Sequence, residues 1–126
     1  MALNPGLSAR FDVEITPEDT ALQLGSGDVE VLGTPRLVAL AERATVMAVA
    51  LDLPMGSTTV GTDVAIRHRK ATLPGSTISV TAELVGVEGS KLTFDVSAHE
   101  NGTLIASGQI SRAVVDRKEF VARISG

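Results

Sequence analysis

A chain of 126 residues, 44% hydrophobic and with a formal charge of −4, has the material for one domain with its own core and no room for a second. With three Phe and no Trp or Tyr the core must be aliphatic, and the acidic balance and scarcity of stacking rings exclude a general nucleic-acid binder. The lack of Cys excludes disulfides, thiolate metal sites and a cysteine nucleophile, and no apolar run is long enough to cross a bilayer. The amino terminus lacks a signal-peptide pattern, so the expectation is a single cytoplasmic domain over residues 1–126 that takes neither nucleic acid nor membrane as partner.

The elements follow in chain order. Phe11, Val13 and Ile15 alternate with Arg10, Asp12 and Glu14, predicting a first strand. Thr16-Pro17-Glu18-Asp19 predicts a turn, and Gly25-Ser26-Gly27 a flexible connection. Thr34-Pro35 is a helix start, with the threonine hydroxyl free to cap open amides, and the helix runs from Pro35 to Leu51 before Leu53-Pro54-Met55-Gly56 ends it. Val60, Thr62, Val64, Ile66 and His68 then alternate with Asp63, Arg67 and Arg69. Ile78, Val80, Ala82 and Leu84 form the apolar phase of the next strand, and Leu92, Phe94, Val96 and Ala98 that of the one after it. Asn101-Gly102 is a hairpin signal, and Leu104 to Val115 is the last strand. The order is strand, long helix, then four strands in a meander, an α+β pattern in which a curved antiparallel sheet buries the helix. One sheet covers only part of a helix that is apolar nearly all round, so a second subunit is expected on the remaining side.

One residue in that helix is out of place. Arg36 and Arg43 share a stripe, but Glu42 projects about 100° away from it, among Val38, Val46 and Val49. A carboxylate there is either paired with a neighbouring cation, reaches past the valines to solvent, or serves chemistry by exchanging a proton or attacking a carbonyl. His68 is in phase with Val60, Val64 and Ile66 and so turns toward the helix, as a core histidine held by a carbonyl or as an acid or base; His99 falls on the polar phase of its strand and is solvated. No dinucleotide-binding or Walker-type glycine motif occurs and no His and carboxylate cluster suggests a metal, so no cofactor is expected.

The segments VLGTPRLVALAERA, STTVGTDVAIRHRKATLPGSTISV and LTFDVSAHENG closely resemble the fluoroacetyl-CoA thioesterase-like family, and the element order resembles the hotdog fold of acyl-CoA thioesterases, over most of the chain. That resemblance implies a catalytic constellation of a threonine at the helix start, a glutamate eight residues on and a histidine on the following strand, matched here by Thr34, Glu42 and His68. It gives Thr34 a second role besides capping, orienting water or attacking as nucleophile, and puts the amides of the helix start where a developing oxyanion can be held. Thr34 and Glu42 lie about 12 Å apart along one helix, too far for contact, so the constellation is expected to be shared between antiparallel helices of a homodimer, with pairing of dimers into a tetramer left open. Arg67, Arg69 and Lys70 beside His68 are either a solvated strand face or a group that holds coenzyme A phosphates, and Gly61 either marks a bulge or lets the substrate arm approach.

The implied activity is hydrolysis of an acyl-CoA to free acid and coenzyme A, with a non-catalytic acyl-CoA or small-ligand binding protein as the alternative. The family's fluoroacetyl-specific member has bulky aromatic groups guarding its pocket, whereas Leu24 to Leu32 contains no aromatic residue here, so a broader or different short acyl chain is expected.

Overall fold

The computed structural model describes residues 3–125. Strand β1 (Ser8–Glu14) leads through a single 3-10 turn (Pro17–Asp19) and a four-residue helix α1 (Ala21–Leu24) to the long helix α2 (Thr34–Val49). Strands β2 (Ser57–His68), β3 (Thr77–Glu88), β4 (Lys91–Glu100) and β5 (Thr103–Asp116) follow, and helix α3 (Arg117–Ser125) ends the described chain. They form one antiparallel sheet in the order β1-β3-β4-β5-β2. The expected α+β architecture is present, with one correction: only β3, β4 and β5 form a meander. β2 lies beyond β5 and pairs with it, because the eight residues between His68 and Thr77 make a crossing connection rather than a hairpin. Among the described residues this leaves the outer edge of β2 unpaired.

Alternation decides which side of the sheet meets α2. Ile78, Val80, Ala82 and Leu84 from β3 and Leu92, Phe94, Val96 and Ala98 from β4 are all buried, as period 2 requires. Against them α2 sets Leu37, Leu40, Ala41, Ala44, Ala48 and Val49, the spacing of one helical face. Thr45 shares that buried face and satisfies its hydroxyl by donating to the Glu42 carbonyl at 2.6 Å. On the far side of α2, Val46 and Met47 remain exposed at 43% and 41%, so the sheet covers only part of the helix. Among the described residues no helix is long and apolar enough to cross a membrane.

Two local features shape the sheet near the end of β2. The β4–β5 hairpin turns on Asn101 and Gly102, at φ 50° and 77°, the left-handed pair that a two-residue turn demands. In β2, the register against β5 shifts between Gly61 and Asp63, leaving Thr62 as the extra residue of a bulge. Before the bulge Thr59 and Gly61 face α2; after it Val64, Ile66 and His68 do, opposite Ile110, Gly108 and Ala106. The simple alternation that put Val60 and Thr62 in phase with His68 is therefore wrong for these two, because the bulge reverses the parity.

Candidate active site

The start and the middle of α2 carry the chemistry. At its start, Gly33 rather than Thr34 is the cap residue, and the Thr34 side chain caps no amide. The hydroxyl goes instead to His68, with Oγ1 2.8 Å from Nδ1. Of the nearby amides, that of Gly33 bonds the Asp19 carbonyl at 2.9 Å and Pro35 has none; those of Thr34 and Arg36 meet no acceptor among the described residues. An exposed hydroxyl, an imidazole and two open amides thus converge at one helix terminus.

The position of that terminus is set from β1. Asp19, buried at the 3-10 turn, accepts from Arg36 Nε at 2.8 Å through Oδ1 and from the Thr16 amide and hydroxyl at 2.8 and 3.1 Å through Oδ2. Burial alone raises its pKa, but the Thr16 amide, the Thr16 hydroxyl and the Arg36 guanidinium outweigh it and hold the carboxyl below its ordinary 3.8. His68 is set by the last turn of the β2 pleat. Its Nε2 is buried with no hydrogen-bond partner among the described residues. Burial lowers its pKa from the ordinary 6.5; the Lys70 backbone opposes this only in part, lying near the ring without a hydrogen bond to Nε2.

Beside this pair opens a cleft of about 320 Å³ whose walls include Thr34, His68, Arg69 and Lys70 and, from the segment before α2, Asp28 and Val29. The expectation that Arg69 faces away with Arg67 fails. The amides of Arg69 and Lys70 both donate to the Ile105 carbonyl, at 2.8 and 3.1 Å, and this bend beyond the strand turns them to the cleft. Arg67, still within the pleat and opposite Ser107, stays on the outer face and does not line the cleft. Under the same region, between α2 and the sheet, lies an apolar void of about 10 Å³ bounded by Leu37, Ala41, Ile66, Ala98 and Ala106, room for one water-sized group.

Glu42 lies away from Thr34 and His68, in a second cluster that the sequence reading missed. Arg112 on β5, 8% exposed at its side chain, donates from Nη1 to Glu42 Oε2 at 3.0 Å, from Nε to the Thr59 hydroxyl at 2.8 Å and from Nη2 to the Thr59 carbonyl at 2.9 Å. The carboxylate lies directly over Gly61, where a Cβ would collide with Oε2 and come within 3.3 Å of Arg112 Nη1. Gly61 therefore makes room for this ion pair. Burial lowers the Arg112 pKa and Glu42 pulls it back up, so the guanidinium stays charged. A signal for Arg112 was present: Ile110, Arg112 and Val114 share one phase of β5, so its charge sits on an apolar face as that of Glu42 does. Among the described residues no group of His, Cys, Asp and Glu is placed to hold a metal ion.

A family described as the fluoroacetyl-CoA-specific thioesterases matches residues 15–118. A fluoroacetyl-CoA thioesterase of Streptantibioticus cattleyicolor is 43% identical over 95 residues, covering 75% of this chain and 68% of that protein. The solved structure of the fluoroacetyl-CoA thioesterase FlK, 35% identical, superposes with a TM-score of 0.91 over 99% of this chain and 97% of that one. Mutants of FlK have been solved with acetyl-CoA and with fluoroacetate and CoA. A hot-dog-like protein from Thermanaerovibrio acidaminovorans, 20% identical, shares the fold with a TM-score of 0.87 over 95% of this chain and 89% of its own. With sequence, fold and element order in agreement across its length, the chain belongs to the fluoroacetyl-CoA-specific thioesterase family of hotdog-fold thioester hydrolases.

Proposed function

We propose that this chain hydrolyses short acyl-CoA thioesters with Thr34 as nucleophile and His68 as its base. The observation that carries the reading is the 2.8 Å contact between Thr34 Oγ1 and His68 Nδ1 at the wall of the cleft. Thr34 passes its proton to Nδ1 as Oγ1 attacks the thioester carbonyl, and the open amides of Thr34 and Arg36 hold the oxyanion. The imidazolium then returns the proton to the departing coenzyme A sulfur, leaving an acyl-threonine. Water, deprotonated by the same imidazole, attacks the ester and releases the acid and the threonine hydroxyl. Burial favours the neutral imidazole, the form that accepts the proton. No cofactor enters any step. The acetyl-CoA and fluoroacetate held by FlK mutants support a short acyl group, and Arg69 and Lys70 at the cleft suit the diphosphate of coenzyme A.

Glu42 joins this chemistry across a two-fold axis. About 12 Å of helix separates it from Thr34 of its own chain, and Arg112 and Gly61 hold it on the side where β2 has a free edge. Val64 on that edge is 44% exposed although it points to the helix side of the sheet, and Val46 and Met47 lie bare on α2. A homodimer closing over these residues brings Glu42 of one protomer toward Thr34 and His68 of its partner, where the carboxylate orients the attacking water. The zero cysteine count supports a cytoplasmic location, and one continuous buried cluster supports a single domain.

The test is thiol release from a panel of acyl-CoAs by the purified protein, with Thr34→Ala, His68→Ala and Glu42→Ala alongside. Turnover indifferent to all three substitutions removes the site, and binding of the esters without turnover supports a non-catalytic ligand-binding protein. Sizing by light scattering, repeated on Val64→Lys, decides the assembly: a monomeric wild type that turns over fully sinks the shared site, and a tetramer extends it.

A further inference from the structure

Every residue of α3 is exposed, and Phe120, Val121 and Ile124 share one side of it within about 100° of arc. Arg117 stands inside that arc, with Lys118 and Arg123 each about 60° beyond one of its borders, so three cations surround the apolar stripe. A helix of nine residues holds its shape poorly in water alone, and this stripe gains most from a surface that covers it. The start of α3 is fixed: the Arg117 amide donates to the Gly56 carbonyl at 3.0 Å, and the Glu119 amide to Asp116 Oδ1 at 2.9 Å. Gly56 belongs to the connection between α2 and β2, where Leu51 and Met55 are bare as well. This end of the molecule is opposite the cleft, which opens at the start of α2 and the end of β2; α2 alone puts about 24 Å between them.

The wall of the cleft that precedes α2 has the complementary chemistry. Leu22, Leu24 and Val29 are exposed there, with the Leu22 amide donating to the Val29 carbonyl at 3.2 Å, and Asp28 and Glu30 flank Val29. Residues 21–33 carry these two acids and no base. A two-fold axis across the free edge of β2 brings the two surfaces together. Two copies closed with β2 antiparallel and fully overlapped set Ser57 of one protomer against the partner's His68, with Asp116, which pairs with Ser57, one strand further in. The start of α3 then stands about 10 Å, two strand spacings, from the partner's β2, and the helix is itself about 13 Å long. We propose that α3 of each protomer docks on residues 21–33 of its partner and roofs the partner's cleft, its apolar stripe on the exposed leucines and valine and its cations toward the two acids. The proposal rests on the shared-dimer reading and adds to it that the acyl-CoA enters under a helix supplied by the other chain.

The absence of native cysteine makes cross-linking unambiguous. Val29→Cys and Ile124→Cys are combined in one chain and the protein is oxidised, with each single variant as control. The double variant is expected to run as a covalent dimer on a non-reducing gel and the single variants as monomers; within one chain the two positions lie at opposite ends of α2 and cannot join. Phe120→Asp alters an exposed side chain and should melt as the wild type does, yet raise KM for a short acyl-CoA about 10-fold, the scale of one lost apolar contact. Phe120→Leu should restore KM. A wild type that sizes as a dimer while the double variant stays uncross-linked overturns the docking alone, as does a wild-type KM in Phe120→Asp. A monomeric wild type overturns the docking and the shared site together. A covalent dimer that releases thiol from no ester supports the docking and removes the thioesterase reading.

Discussion

Replacing Gly61 with alanine isolates what the Glu42–Arg112 pair contributes. The added Cβ collides with Glu42 Oε2, the end of a flexible side chain, while Arg112 Nη1 at 3.3 Å needs to yield only slightly. The strand can therefore stay in place and the carboxylate must swing off, breaking its 3.0 Å contact with the guanidinium. A hydrogen bond between charged groups contributes about 1.5–3 kcal/mol. The Glu42 side chain is 34% exposed, so solvent screening takes the expected cost to the lower end, about 1–1.5 kcal/mol. For a domain of this size that lowers Tm by about 3–6 °C. Activity should fall further, by about 10–100-fold in kcat, because a water-orienting carboxylate acts only when correctly placed. Calorimetric melting and thiol release on a short acyl-CoA are run for Gly61→Ala, Glu42→Ala and the double variant. In the Glu42→Ala background the Cβ meets no carboxylate, so Gly61→Ala should cost almost nothing more in either assay. Equal losses with and without the carboxylate would refute the reasoning, and so would a Gly61→Ala protein indistinguishable from wild type.

Gly108→Ala is expected to behave in the opposite way. Its Cβ runs into the Ala65 carbonyl and lies 2.7 Å from the Ile66 Cα, backbone atoms that cannot rotate aside. Loss of about 2–3 kcal/mol is expected by urea titration, together with activity, since the displaced strand carries His68 two residues on; a full-strength melt would show that β2 can shift without cost. Asp19→Asn weakens the grip of Arg36 and Thr16 and should destabilise by about 1 kcal/mol, discounted because the Arg36 side chain is 39% exposed. The stability that Asp19 supplies is present above its unfolded pKa and vanishes as pH falls through its depressed folded value, so the wild-type and Asp19→Asn stability curves should converge in acid. His68, lowered in the folded chain, contributes stability fully above pH 6.5 that is lost as pH drops through the folded pKa. The acid limb of kcat/KM should accordingly fall below 6.5, and an inflection above that value would remove the neutral, buried imidazole as the base.

The long helix and the strands were legible because burial imposes the 3.6 and 2.0 periods on apolar residues, and the misplaced Glu42 and inward-facing His68 follow from the same periods. The place of β2 was not legible, since pairing order depends on a crossing connection that leaves no trace in alternation. The short helix α1 is only four residues, too few for a period to register. In α3 the apolar residues Phe120, Val121 and Ile124 are spaced for a helix but exposed, and the reading ended at the strand before it. Thr34 read as a cap because cap chemistry is local; its true partner lies 34 residues on, which only the folded sheet brings near. Arg112 escaped for a similar reason: the anomaly was visible in β5, but nothing one-dimensional joins it to a carboxylate 70 positions earlier.

The bulge at Thr62 fixes the number of residues allowed between Gly61 and His68. They are separated by an odd count yet face the same side of the sheet, which only an extra residue permits. Excising Thr62 would close the ladder into a regular strand with the two residues six apart and still on one face, whereas losing a residue while the bulge stays would turn the imidazole to the outer face and leave a folded but inert enzyme. Length changes in β2 should accordingly be confined to loss of the bulge residue itself or to the loops at either end, and not to Val64 through His68.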